Sequence, residues 1–134
     1  MYEKVISEYL AKLKDLLSSN EYNFREASSM HVPEKPGVYV IVDKENGDII
    51  YIGRTKNLRR RILGNHKSGN IRGSQFRKAL MRIYNLKDEQ EISNYIQQKC
   101  AFKFKIIENQ SERIRLEHFA TAVIAPKLNI QLKQ

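Results

Sequence analysis

Two apolar segments rich in β-branched residues face each other across an Asn-Gly pair near the middle of the chain. The first begins with Gly37-Val38-Tyr39, and the second ends with Tyr51-Ile52-Gly53. Asn46-Gly47 lies between them, and this dipeptide favours the tight turn that joins two antiparallel strands. The pattern therefore predicts a β-hairpin. Pairing of its strands places Tyr39 and Tyr51 in one neighbourhood.

Helical and strand periodicities continue on both sides of the hairpin. Apolar residues recur at helical spacing in residues 2–17, which predicts an amphipathic helix, and a polar linker follows at 18–34. The alternation of Phe and Lys at 102–106 predicts a third strand. Four further helices are expected: from the N-cap Asn57 to about Leu63 with Gly64 ending it, from the N-cap Ser74 through Ile83, from 88 to 98, and from the N-cap Ser111 to just before Pro126.

Length and composition indicate a single globular domain. A chain of 134 residues can bury a real core but is short for two ordinary domains. No stretch approaches the roughly 20 apolar residues that span a bilayer, and the amino terminus lacks the basic and then apolar pattern of a signal peptide. A cytoplasmic protein with no membrane partner is therefore expected. Cys100 is the single cysteine, and it is expected to be a small core residue.

Positive charge is concentrated in residues 54–87. All eleven charged side chains of this segment are Lys or Arg, out of 24 in the chain, which leaves 13 elsewhere against 15 Asp and Glu. A patch of one sign attracts a polyanion, whereas a face kept only for solubility usually carries both signs. DNA is therefore the expected partner. The residues expected to contact it are Arg54, Lys56, Arg59, Arg60, Lys67, Arg72, Arg77, Lys78 and Arg82.

One carboxylate falls on the apolar side of the last predicted helix. At 100° per residue, Glu117 lies within the arc that carries Leu116, Ala120 and Ile124. A glutamate is almost never buried without a partner, because removing its charge from water costs several kcal/mol. Its partner is either an arginine in a structural ion pair or a divalent metal held by one carboxylate, water and phosphate. The pattern leaves both open.

Five short motifs occur in one order along the chain. They are Gly37-Val38-Tyr39, Tyr51-Ile52-Gly53, Arg61 ten residues after the second tyrosine, Leu116-Glu117-His118, and 126–129, which ends in Asn129 twelve residues after the glutamate. Each is weak alone. In this order and at these intervals, they resemble the GIY-YIG nuclease family from about residue 36 to 129, with spacing close to that of its UvrC branch.

The resemblance implies a fold and a set of site residues. The fold is a small α/β (α+β) domain in residues 31–134, with a three-stranded antiparallel sheet flanked by helices. Residues 1–30 add an amino-terminal amphipathic helix and a linker, which we expect to pack on that domain. The implied catalytic residues are Tyr39, Tyr51, Arg61, Glu117 and Asn129, with Gly37 and Gly53 as motif glycines. A histidine found in some members has no counterpart in register, so His66 is given no role.

The resemblance also implies chemistry, since members of the family cut DNA with one divalent metal, here Mg²⁺ or alternatively Mn²⁺. Glu117 is expected to hold the metal, and Arg61 to stabilise the charge on the phosphoryl oxygens. Tyr39 is expected to orient or activate water with Tyr51 beside it, although the two can exchange roles. Asn129 is expected to orient Glu117 or the carboxyl-terminal tail. Gly53 is expected to leave the strand and pass close to the substrate.

The expected function is a metal-dependent DNA endonuclease that hydrolyses phosphodiester bonds by tyrosine-assisted attack of water. A second hypothesis is a DNA-binding module of the same fold with little or no catalysis, brought to its substrate by a partner protein. The amino-terminal helix is a candidate for docking on such a targeting protein or for self-association. The residues do not distinguish DNA repair from restriction, and they do not select a DNA sequence or structure.

Overall fold

The computed structural model describes residues 1–131, with side chains described as far as Asn129. Its elements are α1 (Glu3–Leu17), β1 (Tyr22–Asn23), β2 (Gly37–Asp43), β3 (Ile49–Thr55), a π-helix (Arg60–Lys67), α2 (Gln75–Ile83), α3 (Glu89–Lys99), β4 (Cys100–Ile106), α4 (Gln110–Ile124) and α5 (Lys127–Gln131).

One antiparallel sheet organises these elements, with strand order β1-β4-β2-β3. The predicted α+β class, the hairpin and the strand near 102–106 are confirmed. The sheet has four strands where the resemblance implied three. The extra strand, β1, consists of two residues that pair with Phe102 and Ala101, and so short a strand carries no recognisable period. Because β3 is at the edge of the sheet, the elements that follow it can surround its open side.

The two faces of the sheet form two separate cores. Every residue of β2 is buried. Tyr39 and Ile41 point into a core completed by the π-helix, α2 and α3. Val38 and Val40 point to the other side, where α1 and α4 pack, and Leu16 of α1 is among the buried residues there. The tyrosine face and the α4 face therefore lie on opposite sides of the sheet and meet only around the edge of β3.

Local capping agrees with the sequence at two helices and differs at two. Asn57 Oδ1 accepts the Arg60 N–H at 3.0 Å, and Ser74 Oγ accepts the Arg77 N–H at 3.0 Å, as predicted. The N-cap of α4 is Asn109 rather than Ser111, because the Asn109 side chain accepts the Glu112 N–H at 2.8 Å and asparagine caps as well as serine. The expected stop at Gly64 was wrong: the π-helix continues through it to Lys67.

Two simpler expectations can also be compared with the structure. Cys100 is fully buried, as predicted. Within residues 1–131, none of the helices has the length and apolar character needed to cross a bilayer.

Candidate active site

The two motif tyrosines lie side by side on one face of the hairpin. Pairing of β2 with β3 sets Tyr39 opposite Gly53 and Tyr51 opposite Ile41, so both rings project to the same face, with their centroids 6.4 Å apart. Tyr39 is completely buried, and Tyr51 is 8% exposed. The Tyr51 hydroxyl makes no hydrogen bond to the described residues, where no buried polar side-chain atom lacks a partner. Its hydroxyl therefore reaches solvent.

Gly53 is required by the position of Tyr39. A Cβ atom on Gly53 would lie 2.3 Å from the Tyr39 hydroxyl oxygen. Because every larger residue carries a Cβ atom, no choice of side-chain rotamer would remove this clash. The expectation that the strand ends at Gly53 was wrong, because β3 continues to Thr55. Gly37 has a similar steric reason, since its Cβ would lie 2.3 Å from the Lys105 carbonyl oxygen. Gly53 thus allows close packing against Tyr39, and Gly37 allows the close approach of β4 to β2.

His66 joins the tyrosine pair, although sequence reasoning gave it no role. Its Nε2 is hydrogen-bonded to the Tyr39 hydroxyl at 2.7 Å, and its Nδ1 to Ser74 Oγ at 2.7 Å. In an α-helix, residues 61 and 66 are 140° apart and face different sides. In a π-helix the bonding pattern is i to i+5, so Arg61 and His66 come onto one side. The signal that the sequence offered for this role was the position of His66, five residues after Arg61.

The histidine is neutral and links two hydroxyl groups. Burial, followed by the charges of Arg61 and Arg77, lowers the pKa of His66 to about 3. A neutral imidazole donates through one nitrogen and accepts through the other, so Tyr39, His66 and Ser74 form one directional hydrogen-bond chain. Burial also raises the pKa of the Tyr39 hydroxyl far above its ordinary value. Tyr39 is therefore a protonated, fixed member of this chain.

Arg61 and Glu117 act on both tyrosines through their charges. Burial raises the pKa of Tyr51 to about 12; the Arg61 cation lowers this pKa, and the Glu117 carboxylate raises it. The same two groups act in the same directions on Tyr39. Arg61 comes from the π-helix on the tyrosine face, whereas Glu117 comes from α4 on the opposite face. The structure thus brings together four residues widely separated in sequence.

Glu117 lies beside β3 and is held by two side chains. Its carboxylate forms an ion pair with Arg54 of β3 and accepts a hydrogen bond from Thr121 Oγ1 at 3.1 Å. The His118 ring is 3.8 Å away. The Glu117 side chain is 14% exposed, which agrees with its place in the apolar arc. Of the two partners left open by the sequence, the arginine is therefore present.

The surroundings of Glu117 also fit a single metal ion. The carboxylate lines an open cavity of about 500 Å³ together with Arg54, His118, Thr121 and Ala122. No cluster of three acidic, histidine or cysteine side chains occurs within residues 1–131 that could enclose an ion by itself. Mg²⁺ commonly binds one or two carboxylates and keeps water and phosphate oxygens as its other ligands. The accessible carboxylate at the cavity wall meets that requirement.

Asn129 holds the edge strand rather than Glu117. Its Oδ1 accepts the Ile52 N–H at 2.9 Å, and its Nδ2 donates to the Ile52 carbonyl at 2.8 Å. The amide therefore replaces a neighbouring strand at the one residue between Tyr51 and Gly53. Ala125, with φ of 52°, turns the chain sharply after α4 and allows α5 to reach β3. Of the two roles expected for Asn129, orienting Glu117 or the carboxyl-terminal tail, the hydrogen bonds to Ile52 fit the second, because they fix α5 to β3.

Asn129→Ala is expected to weaken both the fold and the site. It leaves the N–H and the carbonyl of Ile52 without a protein partner, at a cost of about 1–3 kcal/mol in the free energy of unfolding. Urea unfolding followed by circular dichroism measures this change. Asn94→Ala is the control, because Asn94 is exposed on α3 and, among the described residues, its side chain bonds only Gln90. Equal stability of the two variants would contradict the role of Asn129.

His66→Gln is expected to change how stability depends on pH. The pKa of His66 is about 3 in the folded chain and about 6.5 when unfolded, so between these values the unfolded state binds more protons. His66 therefore contributes stability above pH 6.5 that is lost as the pH falls, by up to about 1.4 kcal/mol per pH unit. Glutamine lacks this titration. In urea unfolding, the difference between wild type and variant should shrink by about 2 kcal/mol from pH 7 to pH 5; parallel pH profiles would show that His66 is not buried neutral.

Eight of the nine predicted DNA contacts divide into three groups. Arg54, Lys56 and Arg60 line a groove beside Arg61. Arg59 and Lys67 are tied to the chain: Arg59 bonds the Val32 carbonyl and Glu34, and Lys67 bonds the Ala27 carbonyl. Exposed side chains outside the groove are those of Arg72, Lys78 and Arg82.

Arg77 cannot contact DNA, contrary to expectation. Its side chain is completely buried. The guanidinium donates to the carbonyls of His66 and Lys67 and forms an ion pair with Glu89 at 3.0 Å. It also donates to Ser93 Oγ. Arg77 therefore joins the end of the π-helix to α3 and supports the position of His66.

Curated proteins are similar to this chain over about three quarters of its length. The match to UvrABC system protein C of Nautilia profundicola is 31% identical over 105 residues and covers 76% of this chain and 15% of the relative. The match to the protein of that name from Dictyoglomus thermophilum is 32% identical over 102 residues and covers 75% and 14%. The chain thus spans about one seventh of the length of the curated relatives it matches.

The chain is also similar to a solved structure and to a family profile. The structure is the GIY-YIG N-terminal endonuclease domain of UvrC from Thermotoga maritima, bound to its catalytic divalent cation, magnesium. It is 24% identical, with a TM-score of 0.43, and the match covers 96% of this chain and 98% of that one. The profile of the GIY-YIG catalytic domain matches residues 35–121, which is more than half of the chain. The chain therefore belongs to the GIY-YIG family.

Proposed function

We propose that the chain is a metal-dependent endonuclease that hydrolyses phosphodiester bonds in DNA. The observation that carries this proposal is the convergence of three different groups at the open edge of β3. These are a phenol that reaches solvent, Tyr51; a guanidinium without a carboxylate partner in the described part of the chain, Arg61; and an accessible carboxylate, Glu117. Phosphodiester hydrolysis requires activated water, stabilisation of the phosphoryl oxygens and support for the leaving oxygen.

Glu117 is the residue that would hold the metal, with Mg²⁺ as the expected ion and Mn²⁺ as an alternative. A bound divalent cation supplies Lewis acidity at a phosphoryl oxygen and stabilises the negative charge of the leaving oxygen. Arg54 now neutralises this carboxylate. Because Arg54 also lines the basic groove, it can pair with a DNA phosphate instead and release the carboxylate.

Arg61 is suited to the phosphate that is cut. It lies close enough to both tyrosines to lower their pKa values, and no carboxylate within residues 1–131 satisfies its charge. A planar guanidinium can donate two parallel hydrogen bonds to phosphate oxygens. We therefore assign to Arg61 the stabilisation of negative charge at phosphorus.

Tyr51 is the better candidate for contact with the attacking water. The sequence favoured Tyr39, but the Tyr39 hydroxyl is completely buried and hydrogen-bonded to His66. Tyr51 reaches solvent, and burial raises its pKa to about 12, which is less than the rise for Tyr39. Tyr39 and His66 then fix the position of the Tyr51 ring, whose centroid lies 5.8 Å from that of His66. This assignment reverses the two roles that the sequence suggested.

The rate of cleavage is expected to rise with pH. A pKa of about 12 for Tyr51 leaves the phenolate scarce at neutral pH, and its fraction grows about tenfold per pH unit. With constant Mg²⁺, single-turnover rates should therefore rise about tenfold per unit between pH 7 and 9. Tyr51→Phe should remove this pH dependence and lower the rate at least about a hundredfold. Tyr39→Phe should keep the slope, and the opposite result would return the role of base to Tyr39.

A panel of DNA substrates tests the proposed function as a whole. Duplex, nicked, branched and single-stranded DNA, with RNA of the same sequence for comparison, are incubated with Mg²⁺, Mn²⁺ or chelator. Cleavage that requires metal and yields defined ends supports the proposal. Binding of DNA without cleavage of any substrate by the intact chain would instead support the second hypothesis, a binding module without catalysis.

A further inference from the structure

We infer that the groove beside the active site is a second phosphate site, built to hold the strand that is cut through a phosphate next to the scissile one. This inference rests on the proposed function, because it assigns a part of the substrate to a specific surface. The groove has a volume of about 610 Å³. Its walls come from the end of β3, the π-helix and the first turn of α4, and the residues that line it are Arg54, Thr55, Lys56, Arg60, Arg61, Asn65, Gln110, Arg113 and Ile114.

The charge of the groove identifies the class of ligand. Five of its lining side chains are Arg or Lys, and none is Asp or Glu. Among these five, only Arg54 has a carboxylate partner within residues 1–131. Like charges so close together repel each other unless an anion neutralises them. A single small anion leaves most of this charge unmatched, whereas a nucleic-acid backbone places successive phosphates at fixed spacing.

Arg113 makes the groove a preformed site rather than a flexible basic surface. It is only 7% exposed, and its guanidinium donates to the carbonyls of Ile107 and Glu108 at 3.1 and 2.9 Å. These bonds fix a long side chain that otherwise loses considerable conformational freedom on binding. The sequence gives no charge-cluster signal for it, because Arg113 lies outside residues 54–87 and directly follows Glu112.

The position of the groove determines which phosphate it takes. Arg61 belongs to both the groove and the catalytic group, and Arg54 lines both the groove and the cavity of Glu117. A strand with its scissile phosphate at Arg61 and Glu117 must therefore continue along the groove or turn away from it. The unpaired charges favour the first path. The groove thus sets where along the strand the cut falls.

Binding without cleavage is the first test, with the intact chain in chelator. Lys56→Ala/Arg60→Ala removes two exposed groove cations, and Lys4→Ala/Lys14→Ala removes two exposed cations of α1 as a matched control of equal charge. The groove variant should bind DNA at least about tenfold more weakly, with a salt slope smaller by about 1.8, while the control loses less than about threefold. Equal losses would overturn the inference, because they would indicate only general attraction.

A scan of the DNA strand is the second test. Single phosphates along one strand of a bound DNA oligonucleotide are replaced one at a time by uncharged methylphosphonates. Replacement at one or two adjacent positions should weaken binding by wild type but not further weaken binding by the groove variant. Equal sensitivity in both proteins would overturn the inference. Because these measurements need no cleavage, failure of the proposed nuclease activity leaves their outcome readable.

Discussion

Glu117→Gln is expected to abolish metal-dependent cleavage while the fold and DNA binding persist. Glutamine has the size of glutamate, and its amide oxygen can still accept the hydrogen bond from Thr121. It has no charge, and it is a much weaker ligand for Mg²⁺ than a carboxylate. The rate should fall at least about a thousandfold, which corresponds to about 4 kcal/mol in the barrier. Single-turnover cleavage and Mn²⁺ binding followed by electron paramagnetic resonance measure the two losses.

The ion pair with Arg54 makes this test sharper. When Glu117 loses its charge, Arg54 is no longer neutralised and becomes available to phosphate. DNA affinity in chelator and low salt should therefore stay the same or rise slightly, while cleavage disappears. A general loss of structure would lower both cleavage and DNA affinity, so it cannot produce this combination. Unchanged thermal unfolding of the variant would add that the domain itself is intact.

Glu108→Gln is the matched control for the charge change. Glu108 is largely exposed, and its only carboxylate contact is with Lys35 at 3.9 Å. Its substitution should leave cleavage and Mn²⁺ binding unchanged. If Glu117→Gln retained more than about a tenth of the wild-type rate, the carboxylate would be a structural partner of Arg54 and not a metal ligand.

The hairpin could be predicted because it depends on short-range rules. Asn-Gly between two apolar segments predicts a turn that joins two antiparallel strands. That Tyr39 and Tyr51 share a face depends also on the register, which shifts between Ile41 and Val42, and the sequence pattern does not contain that shift. The position of Glu117 was also accessible, because α4 is a regular helix and the apolar arc follows from its period. Its actual partner, Arg54, depends on how α4 crosses β3, which no local pattern contains.

His66 and Arg77 could not be assigned for a physical reason that they share. Helical periodicity of 100° per residue places His66 away from Arg61 and places Arg77 toward solvent. The π-helix brings His66 to the side of Arg61 because its hydrogen bonds span one more residue than those of an α-helix. No residue type in this segment predicts a π-helix from the sequence. The second relation changes because α3 packs over Arg77 and supplies Glu89 and Ser93. Both errors thus come from applying the α-helical period: at His66 the helix itself is a π-helix, and at Arg77 tertiary packing of α3 covers the face that the period places in solvent.

Arg61→Ala is expected to reduce turnover about a hundred- to a thousandfold, with little loss of DNA affinity. The guanidinium is proposed to act on charge that develops at phosphorus, so its removal raises the barrier more than it weakens the ground state. Because Arg61 lowers the pKa of Tyr51, its removal also makes the phenolate scarcer at each pH, which adds to the loss of rate. Single-turnover rates at saturating protein, measured from pH 7 to 9, report this loss.

The neighbouring residue separates this role from simple attraction. Arg60→Ala removes the same charge from an adjacent, exposed position in the groove, and it should weaken DNA binding with little change in the saturating rate. Arg61→Lys keeps the charge but loses the planar fork, and its rate should lie between those of wild type and Arg61→Ala. If Arg61→Ala lost affinity and rate equally, Arg61 would be a second groove contact, and stabilisation of the phosphoryl charge would have to come from the metal held by Glu117.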